Sequence, residues 1–261
     1  MINFLTIGAD PEVFIFNKDL NCHVPIFGML GGTKKKPTPV DGPKKGFSVQ
    51  EDNAMAEYNI PPATNKKEFI EYNQFMLEAL SIFIPENCVI SEESFVEFSD
   101  EQLNHLKAME FGCEPSLNAY TLSVFEPELD VAYTNFRAAG GHIHLGFKEH
   151  KCNETKIKLI QALDKTVGIR SYLEDFSKNP DINRFYSYGA FGNFRETKFG
   201  IEYRTTSNWW LKSHKTMSEV YDLVQEAFRL VNNNDFEFNP EEINLEVAKK
   251  INEKNLKLVN N

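Results

Sequence analysis

Residues 3 to 7 and 11 to 17 are rich in β-branched and aromatic side chains, which predicts strand, and the intervening "GADP" predicts a bend. "GMLGGTKKKPTPVDGPKKG" then packs Gly, Pro and Lys too densely for an ordinary connection and predicts a long functional loop or flap. Residues 47 to 60 read as one strand with acidic interruptions, ended by Pro61 and Pro62. Phe69, Tyr72, Phe75, Met76, Ala79, Leu80 and Phe83 recur at helical spacing behind a cap at Thr64 or Asn65, and "SDEQ" at Ser99 has the form of a capping box.

Further on, "FGCEPSLNAY" echoes "IGADPEVFIF" and predicts a matching strand corner. Strands at 141 to 147 and 199 to 206 bracket a helix from about Glu154 to Val167, closed by Gly168. Two helices finish the chain, Thr216 to Val231 and Pro240 to Leu258, with Pro240 suited to a first helical turn. The order lacks a regular βαβα alternation, so the fold class is α+β with an antiparallel sheet, and 1–261 reads as one domain.

Composition narrows the function. Hydrophobic residues make up 41% and charged residues 25%, as in a globular protein, and 22 Phe point to a ring-rich core. The formal charge of -10 argues against nucleic acid or an anionic membrane as partner and leaves small cations open. Cys22, Cys88, Cys113 and Cys152 are widely spaced, which disfavours a zinc knuckle and fits reduced thiols in the cytoplasm. The N-terminus reads as a first strand rather than a signal peptide, and no apolar run reaches membrane-spanning length.

The chemistry gathers on alternating positions. In "GHIHLGF" the two-residue period puts His142, His144 and Gly146 on one face and Ile143, Leu145 and Phe147 on the other. Likewise "GIEYRTT" sets Glu202, Arg204 and Thr206 opposite Ile201, Tyr203 and Thr205, so one face offers a carboxylate and a fixed cation. The glycine-rich turn "YGAFGNFRETKFG" supplies Arg195. Glu12, Asp52 and Glu57 lie near strand ends, but Asp52 and Glu57 differ in parity and meet on one face only if a bulge or bend intervenes.

In this order "GADPEVFIF", "GGTKKKP", "QEDNAMAEYNIPP", "FGCEPSLNAY", "RAAGGHIHLGF" and "GIEYRTTSNWWL" resemble the phage-type carboxylate-amine ligases (type 2), amidoligases of the glutamine synthetase and glutamate-cysteine ligase superfamily, over about residues 6 to 212. The resemblance implies a curved antiparallel sheet forming a funnel with flanking helices, ATP entering one end and a carboxylate and an amine the other. Two or more Mg²⁺ ions, with Mn²⁺ as the alternative, would sit at the waist. It implies Glu12, Glu57, His142 and Glu202 as metal ligands, with Asp52 joining Glu57. His144 and Arg195 would contact nucleotide phosphates, Arg204 would steady the transferred phosphoryl group, and Lys34 would lie on the flap. Helices at about 214–258 fall outside the resemblance, and no oligomeric ring is implied.

The chemistry gives these residue types a reason. Joining an acid to an amine is uphill in water, so the acid is first phosphorylated and the amine then displaces phosphate; cations offset the carboxylates and arginines steady the transferring group. An acid must take the amine's proton, and Glu51 or Asp52 is available. The same residues could instead serve a metal-dependent hydrolase, which needs no ATP, or remain in a non-enzymatic binding module. The implied location is the cytoplasm, that of the host for a phage-encoded chain.

Overall fold

The computed structural model describes residues 4–109, 116–124, 135–147, 152–178 and 189–233. The expected helix Pro240 to Leu258 and the "FGCEP" corner lie outside the described residues. Among the described residues, every strand pairing is antiparallel, in four sheets, and no helix is long and apolar enough to cross a membrane.

Strand β1 (Phe4–Ala9) leads into β2 (Glu12–Val13) across Asp10-Pro11. Before the crossing, β1 pairs with the strand Ile143–Phe147; after it, β2 pairs with Met55–Asn59, Glu12 opposite Glu57. The expected bend is therefore a corner at which one run of chain leaves one sheet and joins another. Pro11, which has no N–H to give a ladder, sits at the changeover, and its carbonyl accepts from the Tyr58 N–H at 3.3 Å. Gly8, Asp10 and Glu12 share a parity, so both acids can face one side of the corner.

The hairpin β3 (Ile15–Asn17) and β4 (Cys22–Val24) follows, then β5 (Thr38–Pro39) within the Lys-rich loop. Residues 47 to 60 are not one strand but a tight hairpin, β6 (Ser48–Asp52) and β7 (Met55–Asn59). The cause is Asn53, which adopts φ 52°. Asparagine tolerates this left-handed turn, and its buried side chain is anchored by accepting from Ala54 N (2.9 Å) and Arg137 Nε (2.7 Å) and donating to Ala108 O (2.9 Å).

Helix α1 (Lys66–Phe83) starts where Asn65 accepts the Glu68 N–H, and it buries Phe69, Tyr72, Met76 and Leu80. Then come β8 (Cys88–Ile90), β9 (Phe95–Glu97) and α2 (Asp100–Leu103), the last with the expected capping box at Ser99 and Gln102. β10 (Leu117–Asn118), β11 (Phe136–Ala138) and β12 (Ile143–Phe147) precede α3 (Asn153–Leu163).

Gly168 does not close that helix. The chain makes one π turn, Asp164–Gly168, and continues as α4 (Ile169–Lys178). A Cβ at Gly168 would come within 2.6 Å of the Tyr203 hydroxyl, so the glycine here serves close packing rather than termination. β13 (Asn193–Thr197) and β14 (Gly200–Tyr203) form a hairpin, which puts Arg195 on a strand rather than in a turn. A 3₁₀ helix, Asn208–Lys212, leads to α5 (His214–Asn232).

The largest sheet has the order β1-β12-β14-β13-β10. Its apolar side, including Ile7, Ile143, Leu145, Ile201 and Tyr203, shares one core with side chains of α1, α3 and α5. The opposite side carries the candidate chemistry.

Candidate functional site

Three strand registers build one half of the site. Glu202 lies opposite His144 on one side and opposite Arg195 on the other, while Gly8 lies opposite His144. Adjacent antiparallel strands place directly opposed residues on the same face. His144 Nε2 is 2.9 Å from Asp10 Oδ1, and His142 Nδ1 is 3.8 Å from both Asp10 Oδ1 and Glu202 Oε1. Arg195 Nη1 is 3.3 Å from Glu202 Oε2, and Arg204 Nη1 donates to Glu202 Oε1. Burial alone pulls the His144 imidazole down, but the Asp10 charge and hydrogen bond, with the Glu202 charge, outweigh it and push it up to about 9.

The hairpin at Asn53 builds the other half. It reverses the chain so that Glu57 lies opposite Gln50, one of the residues sharing a face with Asp52; the tight turn thus resolves the parity conflict between Asp52 and Glu57. Oxygens of Glu12, Asp52 and Glu57 lie within 4.8 Å of one another, as do ligand atoms of Asp10, His144 and Glu202. Burial is the main reason that the Glu57 carboxyl is held well above its usual range, with the Asp10, Asp52 and Glu12 charges adding to it. Asp52 is also raised by burial, although the Lys34 and Arg204 charges oppose the shift. Lys34 and Arg204 therefore both act on the second cluster.

Glycine has a specific place here. Gly140 N–H donates to Glu12 Oε2 at 2.7 Å, and a Cβ on Gly140 would sit 2.4 Å from His142 Nε2. The pair "GG" thus lets backbone orient one acid while a histidine ring covers it.

Two readings of individual residues change. Glu51 points away from the acids and cannot be the proton acceptor considered from sequence: its carboxylate accepts the N–H groups of Gly28, Leu30 and Gly31, each at 3.1 Å, and pairs with Lys107. Burial pushes its carboxyl up, but the Lys107 and backbone hydrogen bonds outweigh that and hold it below its ordinary value. It is the anchor of the loop's first turn, leaving Asp52 as the acid at the cluster. Replacing Glu51 by Ala is expected to cost about 1–3 kcal/mol by stranding these donors, read from urea unfolding; an unchanged midpoint would refute the anchor.

Asp10 was not singled out from the sequence, yet it touches His144 and faces both halves of the site. The signal was present in its parity with Glu12, two residues on. His142, expected as a ligand, flanks the Asp10–His144–Glu202 group, with His144 inside it.

A slot of about 210 Å³ opens beside His144, lined by Thr6, Gly8, Asn59, Pro62, Gly146 and Phe199 among others. Phe199 is 73% exposed at the turn between β13 and β14.

Oxygen-rich groups with one imidazole match the preferences of Mg²⁺ and Mn²⁺ better than those of soft metals. Comparison with known proteins bears on the same residues. Residues 131–245 match the family model "Phage phiEco32-like COOH.NH2 ligase-type 2", the family that the motifs resemble. The matched segment contains His142, His144, Arg195, Glu202 and Arg204; Asp10, Glu12, Asp52 and Glu57 precede it. Among solved structures, the chain is similar to a bifunctional glutathione synthetase from Pasteurella multocida, at 14% identity and a TM-score of 0.49, covering 94% of this chain and 40% of that one. The chain thus spans well under half the length of that protein. No curated protein matches.

Proposed function

We propose, from the likeness of residues 131–245 to the carboxylate-amine ligases and from the acids gathered at the Asp10-Pro11 corner, that the chain is an ATP- and Mg²⁺-dependent ligase joining a carboxylate to an amine. The observation that carries the reading is the meeting of five carboxylates with two arginines and two histidines where two sheets join at the Asp10-Pro11 corner. Burial above all, with neighbouring acid charges adding to it, holds Glu57 and Asp52 above their ordinary values, and bound cations would remove that penalty.

In this reading Glu12, Asp52 and Glu57 hold one ion, and Asp10, His144 and Glu202, with His142 beside them, hold a second. Bound Mg²⁺ would neutralise phosphate charge. Arg195 and Arg204, fixed against Glu202, steady the transferring phosphoryl group of an acyl-phosphate route, and Lys34 on the flap adds a cation near Asp52. Asp52 would take the proton from the attacking amine. The slot beside His144, with exposed Phe199 at its lip, would receive the nucleotide's base. On this reading the antiparallel sheets belong to a glutamine synthetase-like catalytic unit spanning 1–261 and acting in the cytoplasm.

A thermal melt tests this. With Mg²⁺ and a non-hydrolysable ATP analogue together at a hundred times the dissociation constant, stability is expected to rise by about 2.7 kcal/mol. A rise with metal alone would favour a hydrolase, and no rise would favour a binding module. A rise that needs both justifies screening acid and amine pairs for ADP release.

A further inference from the structure

We propose that Asp164 is a positioning residue whose buried carboxylate clamps the reverse side of the strand bearing Glu202 and Arg204, and so sets the geometry of that cluster. This rests on the functional reading above only in treating the cluster as the working site. Asp164 is fully buried, in the π turn that joins α3 to α4. Its Oδ1 accepts from the Tyr203 hydroxyl at 2.7 Å and lies 3.3 Å from the Thr205 hydroxyl; its Oδ2 accepts from the Tyr120 hydroxyl at 2.7 Å.

Tyr203 alternates with Glu202 within β14, and Arg204 follows directly at the strand's end, before the bend at Thr205. Fixing Tyr203 on the back therefore fixes the direction of Glu202 on the front, and holding Tyr203 and Thr205 together fixes the backbone on both sides of Arg204. The same carboxylate accepts the Gly192 N–H, and Thr205 also donates to Ala190 O at 2.9 Å, so the segment entering β13 and leading to Arg195 is tied to it as well. One acid thus joins the approaches to Arg195, Glu202 and Arg204.

The arrangement is costly, which argues for a role beyond filling space. Burial pushes the Asp164 carboxyl up, and the tyrosine hydroxyls, the Gly192 N–H and Thr205 bring it back only to about 7. The π turn, a form frequent at functional sites, is what interrupts the regular helix at this residue.

Hydrogen exchange read by mass spectrometry on the full chain, with Mn²⁺ titration followed by electron spin resonance, decides the matter. In Asp164→Asn, exchange over residues 193–205 is expected to quicken at least ten-fold while α1 stays unchanged, and the Mn²⁺ dissociation constant to rise about ten-fold. Tyr203→Phe, which keeps the ring and loses one hydroxyl, should move both the same way by about three-fold, and it carries the test if Asp164→Asn does not fold. Unchanged exchange at 193–205, or an equal rise there and in α1, would show a merely structural acid and overturn the proposal. If the wild-type protein binds no Mn²⁺, the metal reading fails, while the exchange pattern still decides the role of Asp164.

Discussion

Replacing Glu202 by Gln is expected to lower nucleotide turnover by at least about 10³-fold, equivalent to roughly 4 kcal/mol of barrier, and to lower the melting temperature as well. The two losses have different origins. Glu202 is 2% exposed and faces Arg204 and Arg195, so an amide in its place takes a buried carboxylate away from two guanidinium groups. Breaking a buried pair in this way costs on the order of 3–5 kcal/mol of stability. Turnover suffers separately, because the variant loses a proposed metal ligand and the partner that orients Arg204. Adding Arg195→Gln to Glu202→Gln removes one of the two guanidinium charges that lose Glu202 and should recover part of the melting temperature without recovering turnover. Full turnover in the single variant, measured as ADP release, would show that Glu202 is not part of the working site.

The sequence carried the local half of this site well. The two-residue period puts His142, His144, Glu202 and Arg204 on one face without reference to any partner strand, and the pairing of β12 with β14 sets His144 opposite Glu202. The capping box at Ser99 and the apolar stripe of α1 were equally legible, because each depends on neighbours three or four residues away. What could not be read depends on contacts between distant residues. Asp52 and Glu57 looked incompatible until Asn53, held by Arg137 from 84 positions away, turned the supposed strand into a hairpin. Glu51 looked as able as Asp52 to take the amine's proton because nothing local shows that the Gly28–Gly31 backbone and Lys107 claim it. Gly168 looked like a stop, since its closeness to Tyr203 exists only once the helix lies on the sheet.

In metal-free protein, Glu57→Gln is expected to be more stable than the wild type, and by a margin that widens as pH rises. Glu57 is held well above its ordinary range, first by burial and then by Asp10, Asp52 and Glu12, so the folded chain holds this proton more tightly than the unfolded chain does. For a group raised in this direction, its contribution is fully present below the unfolded value of about 4.5 and is lost as pH climbs through the folded one. Gln carries no such proton, and its variant escapes the loss. Melts of both proteins in chelator from pH 4 to pH 8 should diverge upward, each kcal/mol appearing as roughly 2–4 °C in a chain of this size. With saturating Mg²⁺ the order should reverse, because the ion stabilises only the protein that keeps its ligand. Such a reversal would mean that the chain accepts crowded acids at a cost to its own stability in order to bind a cation. A variant less stable than the wild type in chelator at every pH would mean that Glu57 is instead a satisfied structural acid, and the cluster of Glu12, Asp52 and Glu57 would lose its claim to a metal.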